Sequence, residues 1–327
     1  MRKDITKKFL ENKNKYLEKM ISLDVGDISI FAFKNDLNTI ASKQIRYDEI
    51  EFKNVFSTTF TKTSTKKFLE NGDKIKKVIS KNGKRIGFNM IYCESAIFTM
   101  GSNNSKDNNP SRVVEIERPF LLGETEVTQE LYELVMGYNP SAFPGKKDLK
   151  QRPVEKVTWY DAIMFCNKLS ALNGKSLYYE ITIDSYVDKT QTNILKANVE
   201  INEGANGFRL PLSKEWEYAA KTKTNNQWSG TNDVSKIGLY AWFDDNSKEK
   251  THPASKKKKN EWNFYDMSGN VFEWCWDLDK SKLDLGYRIF RGGGWDSNTL
   301  YLKSTRLGSS APGYRNDNLG FRVSATL

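Results

Sequence analysis

The stretch RGGGWDSNTLYLKSTRLGSSAPGYRNDNLGFR, residues 291–322, decides how this chain is read. Three consecutive glycines, Trp295, Arg306, Pro312, Arg315 and a closing Gly320-Phe321-Arg322 make a frame of residues that turn, tie or anchor a backbone. Between them lie DSN, LY, GSSA, GY and NDN, which follow neither helical nor strand periodicity. Such side chains are either the parts of an active site or a surface presented to something else. Glycines 292–294 admit a turn where a β-carbon would clash. Arg306, Arg315 and Arg322 carry planar donor forks suited to loop carbonyls and carboxylates. Trp295 and Phe321 are the expected core anchors.

Composition narrows the chemistry. With 327 residues the chain can bury a sizeable core, as one large domain or a main domain with a smaller module. Lys and Arg number 51 against 41 Asp and Glu, a net charge of +10. Much of the excess lies in runs such as ITKK (5–8), KIKK (74–77) and KKKK (256–259), which read as solvated faces. No RNA-binding, zinc-finger or helix-turn-helix signature accompanies them, so no nucleic-acid partner is expected. The one histidine, His252, cannot build a zinc centre with two or three His ligands, a facial-triad iron site or a HExxH protease. No GxSxG elbow is present for a serine triad. Cys93, Cys166 and Cys275 are odd in number and lack CxxC spacing, which excludes a disulfide framework and leaves one bridge at most. Each lies in an apolar segment and reads as a small buried hydrophobe. No apolar run reaches the ~18 residues of a spanning helix. The first residues are charged throughout and carry no apolar signal-peptide centre.

Residues 4–21 place Ile5, Phe9, Leu10, Tyr16, Leu17, Met20 and Ile21 near one helical face, and ISIFAF (28–33) and IEFKNVF (50–56) alternate. Residues 1–86 are therefore expected to form a small accessory module. FNMIYCESAIFTMGS (88–102) reads as a strand pair entering a turn, and PFLLGETEVTQELYELVMG (119–137) as a strand and a helix capped by Thr128. VTWYDAIMFCNKLSALNG (157–174) predicts a longer helix, with Thr158 and Asp161 as a capping box and Gly174 as its stop. Residues 176–206 suggest a hairpin, and FRLPLSKEWEYAA (208–220) a short strand and a third helix. LGFRVSATL alternates Leu319, Phe321 and Val323 inward against Arg322 and Ser324. Few helices, many short strands and long loops define an α+β domain over 87–327.

Seven blocks then occur in a familiar order: FTMGS (98–102), EVTQELY (126–132), VTWYDAIMFCNKLS (157–170), FRLPLSKEWEYAA (208–220), DMSGNVFEWCWD (266–277), FRGGGW (290–295) and NLGFR (318–322). Together they resemble the formylglycine-generating enzyme, or sulfatase-modifying factor, family, which implies an elaborated C-type lectin fold. One departure is Leu212, where that family places a hydroxyl to cap the helix; Ser213 is expected to take over. The oxidase members hold copper through two cysteines shortly after this glycine element, a soft-ligand site. The matching positions here are Ser297 and Leu302, so the resemblance implies no such catalysis. The block matching DMSGNVFEW implies a structural Ca²⁺ at the Asp266 and Glu273 carboxylates and the Gly269 and Val271 carbonyls. The same residues also read as a Gly-Asn turn with Glu273 in an ordinary salt bridge. No other cofactor is required.

Within this family the frame is similar to the variable proteins of diversity-generating retroelements, whose C-terminal segment is randomised into a binding surface. That resemblance assigns display to Asp296, Ser297, Asn298, Leu300, Tyr301, Gly308, Ser309, Ser310, Ala311, Gly313, Tyr314, Asn316, Asp317 and Asn318. Adenine-directed change of asparagine codons cannot give Lys, Glu, Gln, Met or Trp, and none of these stands at those positions. Tyr301 and Tyr314 are the expected hot spots, among adaptable Ser, Gly and Asn. The resemblance thus implies a non-enzymatic, monomeric binder of an exposed protein or glycan, at the cell surface through a lipid anchor on a precursor. The alternative is an atypical oxidoreductase using Cys275.

Overall fold

The computed structural model describes residues 69–327 except 105, 106, 108, 145–150, 188–193 and 225. The helix expected over 4–21 and the strands expected at 28–33 and 50–56 lie outside the described residues. Within them, Asn82 (φ 52°) and Gly83 (φ 75°) make the left-handed two-residue turn that suits a hairpin. It joins β1 (Lys74–Lys81) to β2 (Lys84–Cys93) with Lys81 opposite Lys84. β2 pairs β5 (Phe120–Gly123), which pairs β13 (Ser324–Thr326), which pairs β8 (Phe208–Arg209), giving one antiparallel sheet in the order β1-β2-β5-β13-β8. Residues 74–86 thus belong to the main sheet. The boundary expected at residue 86 is corrected to one before Leu69, where the compact unit Leu69–Leu327 begins.

A second sheet runs in the order β11 (Leu307–Ser310), β10 (Arg288–Arg291), β9 (Phe272–Leu278), β12 (Leu319–Gly320), with β12 parallel to β9. β3 (Ala96–Met100) with β4 (Arg112–Ile116), and β6 (Tyr179–Tyr186) with β7 (Ile194–Ile201), form separate hairpins. α1 (Gln129–Met136) begins at Thr128, whose hydroxyl accepts from the Leu131 amide. α2 (Trp159–Leu172) carries the full Thr158–Asp161 capping box, and Gly174 beyond its end is left-handed. α3 (Ser213–Lys221) is capped differently from the expectation. Ser213 is its first helical residue; the Glu215 carboxylate accepts from the Leu212 amide, and Asp277 of β9 accepts from the Ser213 amide. The Ser213 hydroxyl instead accepts from Arg291.

One cluster packs Tyr132 of α1, Phe165 of α2, Phe208 and Phe321 together. Tyr132 and Phe165 stack with centroids 5.5 Å apart, and Phe321 meets both edge-on. A second holds Trp216, Trp262, Phe264, Met267 and Cys275. All three cysteines are free and buried, as small hydrophobes. Among the described residues no helix is long and apolar enough to cross a membrane.

The last strand departs from simple alternation. β12 lies in the second sheet and β13 in the first, so Phe321-Arg322-Val323 crosses between them. Arg322 and Ser324, expected to face outward, are both 0% exposed. Both sides of the crossing are interior, and Arg322 is accommodated by partners rather than by water. Its Nε and Nη2 meet Glu273 Oε2 and Oε1 at 2.5 and 2.6 Å, and its other donors reach the Gly123, Glu124 and Tyr265 carbonyls. The Trp216 indole donates to Glu273 Oε2 at 2.7 Å. Removing one partner strands the other in a medium that cannot solvate it. Arg322→Met should cost about 3–5 kcal/mol of unfolding free energy in a denaturant titration. Adding Glu273→Leu should restore part of that loss; no recovery would contradict the pairing.

Candidate functional site

The segment after β10 is held chiefly by its backbone. Gly292 (φ 96°) and Gly293 (φ 78°) are left-handed, and a β-carbon on Gly292 would press on the Trp216 ring at 3.2 Å. Arg291, also 0–1% exposed, donates to the Ser213 hydroxyl and the Ser304 carbonyl and pairs with Glu217 at 3.1 Å. This anchor was not singled out in the sequence, although an arginine directly before three glycines is its signal. From there on, residues outside the segment grip its carbonyls. Asp244 N–H donates to Ser297, the Trp228 indole to Thr299, the Ser268 hydroxyl to Leu302, Trp159 N–H to Pro312, Lys156 N–H to Asn316 and Phe272 N–H to Asn318. Within the segment, the Trp295 indole donates to the Asp317 carbonyl at 3.0 Å. Trp295 is half-buried and meets Phe143 edge-on at 5.5 Å.

The side chains on this backbone sort by exposure. Asp296, Asn298, Tyr301, Gly313 and Tyr314 are exposed, with the two tyrosines at 42% and 44%. Leu300, Gly308, Ser309, Ser310, Ala311, Asn316, Asp317 and Asn318 are half-buried. Ser297 is the correction: it is buried, and its hydroxyl accepts the Gly294 amide at 3.0 Å, so it belongs to the frame. Gly308 lies over the Phe290 ring with no room for a β-carbon unless that ring moves. Neighbouring display residues also touch one another: the Asn318 amide donates to both Asp296 oxygens at 2.9 Å. Arg306 covers the Tyr301 ring at 4.2 Å, and Arg315 comes within 4.0 Å of Asp161.

Leu302, Cys275 and His252, the residues that bear on a catalytic reading, are held in structural settings. Leu302 is fully buried with Trp228, Ile237, Ala241 and Phe243. Burial pushes the Cys275 thiol well above its ordinary value, so it does not form a ready thiolate. His252 stacks on Trp242 at 3.8 Å and its Nε2 lies 2.6 Å from the Ser247 carbonyl, a structural setting in which burial lowers its pKa.

The implied calcium ligands meet a mixed outcome. Asp266 (φ 56°), Gly269 (φ 86°) and Asn270 (φ 64°) form a turn before β9, and Glu273 is committed to Arg322 and Trp216. Asp266 spends Oδ2 on the Ser255 amide, while its Oδ1 is buried without a partner, as are both oxygens of Glu126. Burial raises Asp266 to about 6, and burial with repulsion from Asp266 raises Glu126 well above the carboxylate range. These orphaned hard oxygens call for a cation or a shared proton, and among the described residues no group of three or more His, Cys, Asp or Glu side chains is placed to hold a metal ion. Glu126 is a further buried, unpartnered carboxylate beside Asp266 that the sequence reading missed.

Among the described residues the arrangement is that of an α+β scaffold carrying a loop surface on a fastened backbone. The chain belongs to the sulfatase-modifying factor enzyme 1-like domain family, whose profile matches residues 76–327. It resembles the solved Treponema denticola variable protein 1 at 35% identity and TM-score 0.68, covering 77% of this chain and 99% of that one. It is 37% identical over 233 residues to a protein named chaperone protein LppX from Paenibacillus barcinonensis, covering 64% of this chain and 79% of that one. A third relative, the inactive Cα-formylglycine-generating enzyme 2 of Bos taurus, is 29% identical over 36% of this chain and 44% of its own length.

Glu155 supports the surface from below. It is 0% exposed, accepts the Ala142 and Phe143 amides at 2.9 Å, and is raised to about 7 by burial above all, with Asp317 adding repulsion. A carboxyl raised on folding stabilises the fold when protonated, and that contribution is lost as pH climbs from about 4.5 through about 7. The unfolding midpoint should therefore fall across this window, and Glu155→Gln should flatten the fall. An unchanged slope in the variant would contradict the assignment.

Proposed function

We propose that this chain is a non-enzymatic, receptor- or adhesin-like protein that binds a ligand through a diversified surface spanning Asp296 to Asn318, as in retroelement variable proteins. The observation that carries this reading is the grip on the segment's carbonyls. Donors from Lys156, Trp159, Trp228, Asp244, Ser268 and Phe272 hold its shape whatever side chains it bears. The likeness to the Treponema variable protein supports it, and the inactive bovine relative agrees with a scaffold outside catalysis. The family's oxidase chemistry needs a soft thiolate pair, whereas Ser297 and Leu302 stand at those positions and Cys275 is buried.

The ligand of this reading is an exposed protein or glycan, met by a monomer at a cell surface through a lipid anchor. Tyr301 and Tyr314 are its hot spots, offering contact area at low entropic cost. Asp296, Asn298, Leu300, Ser309, Ser310, Ala311, Gly313, Asn316, Asp317 and Asn318 are the adaptable rim, with Gly308 confined to small residues. The Paenibacillus relative is named a chaperone protein, which agrees with a binding role. Binding requires no cofactor. A structural Ca²⁺ would be held by Asp266 and Glu126 with the Gly269 and Val271 carbonyls, supplying only counter-charge.

A cell-surface binding screen of the purified chain tests this function. Tyr301→Ala with Tyr314→Ala should weaken a recovered ligand by at least about 2 kcal/mol and leave the unfolding midpoint in place. Equal binding by the doubly substituted chain, or conversion of a cysteine peptide to an aldehyde, would overturn it. Millimolar Ca²⁺ should raise the unfolding midpoint at pH 7, and Glu126→Gln should abolish the rise. No effect of the ion would leave shared protons as the answer to the buried charge.

A further inference from the structure

β11 is the terminal strand of its sheet and lies inside the displayed segment, with Gly308, Ser309 and Ser310 among its four residues. All four are half-exposed. It pairs with β10 on one side, Leu307 opposite Arg291 through Ser310 opposite Arg288. Beyond that pairing, no main-chain group of Leu307–Ser310 makes a hydrogen bond among the described residues. Alternate residues of such an edge present unpaired N–H and C=O groups, which template another strand.

Natural edges of this kind are commonly protected by charged side chains, proline, bulges or a covering loop. Here three consecutive small residues leave the edge approachable. The loop beside it is braced against the strand. The Ser309 hydroxyl donates to Asp279 Oδ2 at 2.6 Å, and Lys282 donates to the Ser309 hydroxyl at 3.1 Å. That same stretch exposes Leu283 at 56% and Leu285 at 60%, together with Lys280 and Asp284, while Lys282 is engaged with Asp279 at 3.9 Å and with Ser309. An open backbone edge thus adjoins, through Ser309, a stretch that carries two exposed leucines and Lys280.

We infer that this corner binds an extended peptide segment of a partner protein by strand addition to β11. The incoming strand completes the edge hydrogen bonds, sets an apolar side chain against Leu283 and Leu285, and brings an acidic side chain to Lys280. Main-chain pairing supplies affinity that does not depend on which residues occupy 308–310, while those residues tune specificity. The inference rests on the proposed display function and names the partner's chemistry at one part of that surface.

The test selects binders to the full chain from a phage-displayed library of random nine-residue peptides. Ser309→Pro and Ser310→Pro each delete one of two consecutive N–H groups, of which one points outward. With Ser309→Ala as the reference for loss of that hydroxyl's bonds, the proline that lowers the unfolding midpoint no further marks the outward position. Expected are peptides with alternating apolar and acidic residues, whose binding protects a β11 amide from hydrogen exchange. The outward proline should weaken them at least tenfold, and Leu283→Asp with Leu285→Asp should do the same without touching β11. Failure to recover peptides, peptides indifferent to both changes, or a chain that pairs with itself through β11 would each overturn the inference. Loss of cell-surface ligand in Tyr301→Ala/Tyr314→Ala, with the proline variants binding normally, would remove strand addition and keep the display function. Indifference to the tyrosine changes as well would remove both.

Discussion

The ion pair of Glu273 and Arg322 is the constraint on which the two sheets depend. Glu273 sits on β9 in one sheet, and Arg322 lies where the chain leaves that sheet for the other. A buried pair of this kind contributes little net stability over a well-packed apolar pair, because both ions have lost water. What it imposes is geometry. The guanidinium reaches Glu273 and the carbonyls of Gly123, Glu124 and Tyr265, and the indole of Trp216 bonds the same carboxylate. Few other arrangements of β5, α3, β9 and the C-terminal crossing satisfy all of these groups together. Arg291 repeats the device one strand away, between Ser213, Glu217 and Ser304.

That interior rigidity is what lets the surface segment be irregular. A loop normally depends on its own side chains for shape, so exchanging them changes the loop. Here its carbonyls are held by donors from β9, from α2 and its approach, and from loops near Trp228 and Asp244, none of them in the displayed set. Tyr301 and Tyr314 can project without bearing load. Ser297, beneath the Gly294 amide, is removed from the exchangeable set, and exchange of Asn298, whose Oδ1 accepts the Leu300 amide, asks the frame to hold without that bond.

Much of the fold was legible in the sequence, because local signals and tertiary needs agreed. Thr128 and the Thr158–Asp161 box started their helices where the spacing predicted, and Gly174 ended the second. The ordered blocks gave the fold family, which periodicity alone did not. Several readings failed for identifiable reasons. The Asn82-Gly83 turn is a hairpin signal that the lysine-rich surroundings of β1 obscured, so the boundary fell too late. Arg322 alternates with apolar residues as a solvent-facing residue does, and only the crossing between sheets buries it. Ser297 lies among display residues in sequence, but the Gly294–Ser297 turn points it inward, and turn direction is not encoded in composition. Glu126 was missed because its burial comes from tertiary packing around Asp266, with no local pattern to mark it.

The claim most open to direct measurement is that the frame keeps its shape independently of what it carries. Asp296, Asn298, Leu300, Tyr301, Ser310, Ala311, Gly313, Tyr314, Asn316, Asp317 and Asn318 would be exchanged together for other residues reachable from asparagine codons, and the crystal structure determined. The account predicts a main chain over 291–322 that superimposes on the original, with the Lys156, Trp159 and Phe272 amides still bonded to the Asn316, Pro312 and Asn318 carbonyl positions. A segment that refolds, or that detaches from those amides while the two sheets stay intact, would contradict it.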